Sequence, residues 1–529
     1  MHRNLRLILI LLLISNLASI DMRGGQLVKV SATKSELIFA VESANPPLRI
    51  VELAPYQSPD AAKNSTPLAT VSKKGKSKVG VPRFDGARDR IYSGFTLVAN
   101  NMPVGPVRFV EEFKDISANR DSYPQLKSKK GLQVQMVDDA IALGVKHAAI
   151  NFNLGQMVSI ESAPGDFPWE LDGRTIYFRR GYLESIDRQI KALSDSGAAV
   201  SLILLNYEGA DAKLNKILLH PGYDRACPNH LSAFNTLTPE GLAYFKGAME
   251  FLAARYSAVG YPHGRVVNYI VGNEVNSHWY WANMGHVSME QFAEDYLRTV
   301  RACHTAVREF SSSARVFISL EHHWNIRYPG CDEKQGFAGR PFVNYFNQLA
   351  KAGGDFDWHV AFHPYPENLF HAQTWNDKSA TFSDDAPRIT FKNLEMLPRY
   401  LHQRELLYHG QPRRIILSEQ GFHSDATTEG ELIQAAAYCY AYRKAASLDG
   451  IDAFILHRHV DHPHEGGLNL GLWRRDTKNP NSSEPLIKKP IYEVFRAADS
   501  TNWPNAFQFA LPIIGIKSWK EIETSRAGK

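Results

Sequence analysis

Residues 266–275, VVNYIVGNEV, decide the fold that we expect for this chain. The stretch is an almost continuous apolar run that ends in Gly272, Asn273 and Glu274. Such a run is typical of a strand that is buried on both faces of a sheet, because a strand with one solvated face alternates apolar and polar residues. We therefore predict a parallel strand whose far end reaches a polar site.

Seven more runs of this kind occur, and longer stretches at helical spacing separate them. The runs are RIYSGFTLV (90–98), VKHAAINFNL (145–154), AAVSLILLNY (198–207), RVFISLEHHW (315–324), DWHVAFHPYP (357–366), RIILSEQGF (414–422) and IDAFILHRHV (451–460). Eight strand–helix units in roughly 400 residues predict an α/β protein with a closed (β/α)8 TIM barrel. An open, doubly wound sheet is the alternative, although no glycine-rich phosphate turn follows the first run.

Other segments flank the barrel. Alternating apolar and polar residues at 26–55, followed by a loop rich in proline, serine, lysine and glycine, predict a small all-β N-terminal module over residues 26–87. We place the barrel at residues 88–500 and a C-terminal extension at 501–529. Residues 1–19, MHRNLRLILILLLISNLAS, have basic residues before a short apolar run and resemble a signal peptide.

The signal peptide predicts a secreted or periplasmic protein. Its apolar run is shorter than the roughly 20 residues that a membrane helix needs. An uncleaved N-terminal anchor is the alternative, and no later segment has the composition of a membrane span. After signal cleavage we therefore expect no stable membrane span.

Composition and charge exclude several other classes of protein. The chain has 60 basic and 55 acidic residues, and its only concentration of lysines, at residues 73–78, lacks interleaved aromatic residues. We therefore expect a solvated loop there and no nucleic-acid partner. The four cysteines match no zinc pattern; Cys303 with Cys331, or Cys227 with Cys331, are possible disulfides.

Polar and aromatic residues follow the apolar runs at the same end. In a TIM barrel the carboxyl ends of the strands surround the active site. We therefore expect these residues to line one pocket, with Trp473 in the loop beyond the last strand: Asn151, Asn206, Asn273, Glu274, Glu321, His322, Trp324, His363, Tyr365, Glu419, His457 and Arg458.

Two of these residues, Glu274 and Glu419, predict the chemistry. They end the fourth and seventh predicted strands, which face each other across the mouth of a barrel. Hydrolysis of a glycosidic bond needs two carboxyl groups of different pKa, one to protonate the leaving oxygen and one to attack the anomeric carbon. We therefore predict that the chain hydrolyses an oligo- or polysaccharide without a metal or cofactor, and that burial and Glu419 raise the pKa of Glu274.

The motifs Asn273-Glu274, His363-x-Tyr365 and Glu419 resemble those of the retaining clan A glycoside hydrolases, the 4/7 superfamily of (β/α)8 barrels. The resemblance covers roughly residues 88–500. It implies that Glu274 is the general acid/base, that Glu419 is the nucleophile, and that Asn273 binds the sugar 2-hydroxyl. It further implies that His363 and Tyr365 orient and stabilise the nucleophile.

The resemblance has two departures. The clan commonly has an arginine near the end of strand two and a tryptophan at the end of strand eight. This chain has Asn151 at the first position and His457 and Arg458 at the second, with Trp473 further on. The whole chain, including its β-rich N-terminal part, also resembles a bacterial family of uncharacterised domains, DUF5722.

Three alternatives remain open at the level of sequence. Glu321 could act as the acid in place of Glu274. The stretch 457–467, HRHVDHPHEGG, contains six potential metal ligands and could form a metal-dependent hydrolase site. The barrel could also bind carbohydrate without hydrolysing it.

Overall fold

A computed structural model describes residues 24–523 of the protein. The predicted signal peptide, residues 1–19, lies outside the described residues. The chain divides into two compact units, a smaller one formed mainly by residues up to Ser117 and a larger one that contains most of the remaining chain.

The smaller unit contains two four-stranded sheets. One has the strand order Glu112–Phe113, Gly25–Ala32, Glu36–Ser43 and Gly75–Pro82; the other has Pro67–Val71, Leu48–Leu53, Gly94–Ala99 and Met102–Arg108. Alternate residues of the strand Glu36–Ser43 are buried. Among them Phe39 packs edge-on against Phe95 of the other sheet, with ring centroids 4.9 Å apart. The predicted all-β module is therefore a pair of packed sheets.

The larger unit is built around a closed barrel of eight parallel strands, which confirms the predicted fold. Barrel strands 1 to 8 are Lys130–Gln133, His147–Asn153, Ala199–Leu205, Val266–Val271, Arg315–Glu321, Trp358–His363, Ile415–Gln420 and Ile451–Leu456. Strand 1 pairs in parallel with strand 8 and closes the barrel.

Helices follow the barrel strands along the chain. Their bounds are Val137–Ala142, Leu154–Met157, Arg180–Asp195, Ala212–Leu218, Pro239–Tyr256, His278–Trp281, Met289–Phe310, Gly339–Ala352, Met396–Leu401, Thr428–Ser447, Pro490–Ala497, Trp503–Ala506, Ala510–Ile514 and Lys520–Glu523. Thr238, Ser288 and Thr427 cap the three longest of them, each accepting a backbone N–H in the first turn. Such caps satisfy N–H groups that have no partner within the helix.

The remaining strands among the described residues are short. They are Phe84–Asp85, Arg88–Asp89, Val158–Ser159, Phe167–Leu171, Arg174–Phe178, Trp473–Arg475 and Pro485–Lys488. No helix within residues 24–523 is both long enough and apolar enough to cross a membrane.

The predicted boundary at residue 88 is wrong. The run at 90–98 contributes the strand Gly94–Ala99, which pairs antiparallel with Leu48–Leu53 in the smaller unit. The first barrel strand is instead Lys130–Gln133, KGLQ. Only Leu132 in this short strand is strongly apolar, so hydrophobicity did not identify it.

The boundary at residue 500 is also wrong, because the C-terminal segment belongs to the larger unit. Trp503 packs edge-on against Tyr442 of the helix Thr428–Ser447, with centroids 5.7 Å apart. Phe507 contacts Tyr438 of the same helix. The described part of the predicted extension, up to residue 523, therefore contributes to the packing around the barrel.

Candidate active site

Alternation along the strands determines which side chains face the barrel mouth. Successive residues of a strand point to opposite faces, so every second residue faces the interior. The buried interior cluster includes Ala149, Leu205, Ile270, Ala361 and Ile455. Residues at even spacing beyond these, two residues further on or four in the case of Ile270, face the barrel mouth. They are Asn151, Tyr207, Glu274, His363 and His457.

Glu274 is held in a constrained backbone conformation. Its φ of 39° and ψ of 50° lie in the left-handed region, which is uncommon for residues other than glycine. Its backbone N–H donates to Ser319 Oγ at 3.0 Å, and its Oε1 lies 2.8 Å from His363 Nδ1. Such strain persists only where the surroundings fix it, and it is concentrated at functional sites.

Glu419 lies at a β-bulge in barrel strand 7. The partners of Leu417 and Gln420 on strand 8 are Phe454 and Leu456, so strand 7 has one extra residue between them. A bulge of this kind redirects side chains, and here both Ser418 and Glu419 contribute to the site. Glu419 Oε2 accepts from Gln133 Nε2 at 2.9 Å, and its Oε1 accepts from the Tyr365 hydroxyl at 3.1 Å.

The two predicted catalytic carboxyl groups converge. One oxygen of Glu274, one oxygen of Glu419 and one ring nitrogen of His363 all lie within 4.8 Å of one another. The carboxyl groups of retaining glycosidases are about 5–5.5 Å apart, whereas inverting enzymes need about 6.5–9.5 Å to admit a water molecule. The geometry therefore fits direct attack by one carboxylate while the other donates a proton.

The surroundings drive the pKa values of the two glutamates apart. Burial raises the pKa of Glu274, and the charges of Glu419 and Glu321 add to this effect against the hydrogen bond with His363. Burial also acts to raise the pKa of Glu419, but His457, His363 and Gln133 outweigh this effect and lower that pKa below the ordinary value for a glutamate. A protonated Glu274 beside an ionised Glu419 is the pairing that the reaction requires.

His363 and Tyr365 divide the role that the resemblance implied for them. Tyr365 donates to Glu419, the predicted nucleophile, and burial together with the charge of Glu419 raises the pKa of Tyr365 so that the hydroxyl keeps its proton. His363 instead hydrogen-bonds Glu274, and its Nε2 lies 3.0 Å from Ser418 Oγ. His363 therefore forms its hydrogen bond with Glu274, and it acts on Glu419 only through its charge.

Asn151 and Asn273 were both predicted to contact substrate. Asn151 is exposed and lines an open cleft of about 260 Å³, together with Gln133, His457 and Arg458. Asn273 precedes Glu274. Neither amide side chain has a hydrogen-bond partner among residues 24–523, so both can accept or donate to substrate hydroxyl groups.

Three residues predicted to contact substrate are instead held by partners within the protein. Asn206 is buried and donates to the carbonyl oxygens of Leu218 and Ala233 at 2.8 and 2.9 Å. Trp324 is buried against the ring of Tyr400, with centroids 4.9 Å apart. Trp473 donates from its ring nitrogen to Asp139 at 3.0 Å.

Tyr207 replaces Asn206 at the end of barrel strand 3. The side chain of Tyr207 is exposed overall. Burial of its hydroxyl raises its pKa, and the negative charge of Glu419 raises it further. The exposed ring therefore lies within electrostatic range of Glu419. Asn206 is one residue earlier and therefore points to the opposite face of the strand.

Glu321 is a structural acid and is not available as the proton donor. Its Oε1 accepts from Asn276 and Ser277 at 2.7 and 2.9 Å, and its Oε2 accepts from the backbone N–H of His323 at 2.8 Å. Burial acts to raise the pKa of Glu321, but the hydrogen bond and charge of His323 lower it to about 2. Both oxygens are thus already used within the protein, which also argues against the predicted contact with substrate.

His322 lies beside this network with one ring nitrogen committed. Its Nδ1 must donate to the Tyr365 carbonyl, 3.0 Å away. Burial lowers the pKa of His322 to about 3, so the ring is neutral. The remaining nitrogen, Nε2, can accept a hydrogen bond, which agrees with the predicted contact to a substrate hydroxyl.

Replacing Glu321 by glutamine should lower the free energy of unfolding at pH 7 by about 2 kcal/mol, because the buried donors around it lose a charged acceptor. The folded pKa lies below the unfolded value of about 4.3, so the stabilisation is complete above the unfolded pKa and is lost as the pH falls towards 2. Urea unfolding at pH 7 and pH 3 measures this. Glu333→Gln, at an exposed glutamate, is the control; a Glu321 effect of equal size at both pH values would contradict the argument.

The six potential metal ligands after barrel strand 8 do not converge. His457 pairs with Glu465 at 3.1 Å, His459 with Asp139 at 2.9 Å, and Asp461 with Lys489 at 2.8 Å. These separate pairings argue against the predicted alternative of a metal site in this loop. In the described part of the chain, two other groups bring three ligand atoms within 4.8 Å: Glu321, His322 and His323; and Glu274, His363 and Glu419.

The cysteines form no disulfide in the structure. Cys227, Cys303, Cys331 and Cys439 are all buried and unpaired. Cys227 and Cys331 belong to one buried cluster with Trp279, whereas Cys303 lies in the helix Met289–Phe310. Of the two possible pairings, only Cys227 with Cys331 involves residues of a common cluster.

Three polar residues of the site were missed at the sequence level: Gln133, Ser319 and Ser418. Gln133 bridges Glu419 and His457, while Ser319 and Ser418 bind the Glu274 backbone and the His363 ring. The two serines are interior positions two residues beyond Phe317 and Ile416 of the core. Alternation could have identified these serines, but Gln133 required the location of strand 1.

Residues 122–522 match the model of a family described as a family of unknown function, DUF5722. The chain belongs to the DUF5722 family. The match covers well over half of the 529 residues and confirms the resemblance drawn from the sequence. No curated protein matches this DUF5722 chain.

Solved structures similar to this DUF5722 protein share little sequence with it. A family 39 glycoside hydrolase from Bacteroides cellulosilyticus WH2 is 14% identical, with 90% of this chain and 80% of that chain covered and a TM-score of 0.45. The hyperthermophilic β-glucosidase from Pyrococcus furiosus is 14% identical, with 71% of this chain and 86% of that chain covered and a TM-score of 0.44. The family 1 β-glucosidase from Thermotoga maritima is 12% identical, with 68% of this chain and 84% of that chain covered and a TM-score of 0.41. At these values no residue role is transferred from these proteins.

Proposed function

We propose that this DUF5722 protein is a retaining glycoside hydrolase that cleaves O-glycosidic bonds in an oligo- or polysaccharide by double displacement. The observation that carries the proposal is the pair Glu274 and Glu419, whose oxygens approach within 4.8 Å while their pKa values are driven in opposite directions. The signal peptide predicted at residues 1–19 would place this activity outside the cytoplasm.

In the first step Glu419 attacks the anomeric carbon and Glu274 donates its proton to the glycosidic oxygen. The bond between the anomeric carbon and that oxygen breaks, its electron pair leaves with the oxygen, and a glycosyl ester of Glu419 forms. Tyr365 and Gln133 donate hydrogen bonds to Glu419 and fix its orientation. His363 holds Glu274 against the leaving group.

In the second step Glu274 accepts a proton from water, and the hydroxide equivalent displaces Glu419 from the anomeric carbon. Two inversions give net retention of configuration, and Glu274 regains its proton for the next cycle. Asn273, Asn151 and His322 Nε2 supply hydrogen-bonding groups for the sugar hydroxyls. Because all proton transfers use Glu274, the reaction requires no metal ion.

The test is hydrolysis of aryl glycosides, β-glucans, mannans, galactans and xylans, with the first-formed anomer identified by proton NMR. We expect retention with the wild type, no effect of EDTA, and no hydrolysis by Glu274→Gln or Glu419→Gln on unactivated substrates. Glu333→Gln, at an exposed position, serves as the control. An inverted first product, or activity that survives both substitutions, would refute double displacement by this pair. Binding without hydrolysis would favour the non-catalytic barrel.

A further inference from the structure

A line of hydrogen bonds extends from Glu419 to the loop that follows barrel strand 8. Gln133 donates from Nε2 to Glu419 and presents its Oε1 to His457 Nδ1, 2.6 Å away. The other nitrogen of His457, Nε2, lies 3.1 Å from Glu465 Oε1. Arg458 completes the line by donating to Glu465 Oε2 at 2.6 Å.

The chemistry of the acceptors determines the protons on His457. Both oxygens of Glu419 accept hydrogen bonds, one from the Tyr365 hydroxyl and one from Gln133 Nε2, so Gln133 turns its NH2 group to Glu419 and its oxygen to His457. An amide oxygen also only accepts, and His457 Nδ1 must therefore carry a proton. If His457 were neutral, Nε2 would then present a lone pair to Glu465.

Glu465 cannot supply the missing proton at neutral pH. Arg458 donates to Glu465 Oε2 at 2.6 Å, and a guanidinium at this distance favours the ionised form of the carboxyl group. The carboxylate therefore faces His457 as an acceptor. Two acceptors on opposite sides of one imidazole are satisfied only when both ring nitrogens bear protons.

We propose that His457 is a positioning residue, held as an imidazolium between Gln133 and Glu465, whose positive charge keeps the nucleophile Glu419 ionised. The proposal rests on the proposed function, in which Glu419 must attack as a carboxylate. This positioning role stands in place of the contact with substrate that the sequence predicted for His457. Its action on Glu419 is electrostatic, and Gln133 fixes its distance.

The charged groups around His457 are consistent with this role. Glu465 and Arg458 lie on its own loop, Glu419 faces it from barrel strand 7, and His462 is close enough for His457 to contribute to lowering its pKa. Only 8% of the surface of His457 is exposed, so solvent screens the interaction weakly. One side-chain amide and two hydrogen bonds, of 2.6 and 2.9 Å, separate the imidazole ring from Glu419.

The first measurement is NMR on protein labelled with ¹⁵N in histidine rings and ¹³C in glutamate carboxyl groups. His457→Gln and Glu419→Gln assign the signals. We expect both His457 nitrogens to be protonated at pH 8 in the wild type, and Nε2 to lose its proton in Glu465→Gln. A His457 ring with one bare nitrogen in the wild type at pH 8 would overturn the proposal.

The second measurement is the titration of the Glu419 carboxyl carbon. Its midpoint should rise by at least about one pH unit in His457→Gln and in Glu465→Gln, the shift expected for a lost charge at this distance. His464→Gln removes an exposed imidazole from the same loop and should leave the midpoint unchanged. An unchanged midpoint in both test variants would overturn the electrostatic role, and Glu465→Gln decides it alone if His457→Gln does not fold.

Neither readout depends on turnover. A wild type that hydrolyses no glycoside would defeat the proposed function while the spectra still decide the protonation of His457. A wild type that hydrolyses glycosides but has a neutral His457 would defeat only the present inference. In an active enzyme, the acidic limb of the kcat/KM profile should move upward with the Glu419 midpoint.

Discussion

Glu419→Gly is expected to reduce kcat by about 10⁴-fold to 10⁶-fold, because removal of a nucleophile removes the covalent route altogether. The substitution also leaves a space beside the anomeric carbon. Azide can enter this space and attack an activated α- or β-aryl glycoside once, from the face that Glu419 occupied. A single displacement inverts the configuration, so proton NMR should identify a glycosyl azide of inverted configuration.

The matched control is Glu333→Gly, which removes an exposed carboxylate, and thermal unfolding shows whether each variant is folded. Azide should not accelerate the control. A Glu419→Gly protein that is folded but keeps most of its activity would exclude Glu419 as the nucleophile. A product of retained configuration would point to a second nucleophile in the site.

Glu274→Gly should reduce kcat by about 10² to 10⁴-fold on substrates with poor leaving groups, the range for loss of general acid–base catalysis. The left-handed backbone at Glu274 suits glycine, so this variant should fold without added strain. Dinitrophenyl glycosides need no protonation of the leaving group, and their first step should be nearly unaffected. Azide should then release the glycosyl-enzyme as a product of retained configuration.

The pH dependence of kcat/KM also tests Glu274 as the proton donor. Burial and Glu419 raise the pKa of Glu274, so the wild type keeps the catalytic proton to higher pH than an ordinary carboxyl would. The wild-type kcat/KM should fall at alkaline pH as this proton is lost, and the limb should disappear in Glu274→Gly. A limb that persists in the variant would assign the proton to another group.

Much of the barrel could be predicted from hydrophobic runs. The seven runs from 145 onward each contain an observed barrel strand, because parallel strands covered on both faces need continuous apolar residues. Strand 1 could not be found in this way. It is four residues long, KGLQ, and the more hydrophobic run at 90–98 was mistaken for it.

The catalytic pair was easier to predict than its surroundings. Glu274 and Glu419 follow from strand ends and from the opposition of strands 4 and 7. Errors such as Asn206 and Trp324 arose where the end of a strand was read without its alternation, since neighbours such as Tyr207 take the inward direction. The contact of His363 with Glu274 depends on side-chain geometry that spacing does not encode.

Closure of the barrel by its first and last strands has a consequence for how the site comes into being. Gln133 lies 286 residues from Glu419 and 324 from His457 in sequence, yet it contacts both. Contacts between such distant parts of a chain form late and slowly, because long loops must close first. The nucleophile therefore acquires its full set of partners only after the final strand has been synthesised and docked, and an incomplete chain emerging from the ribosome has no assembled catalytic centre.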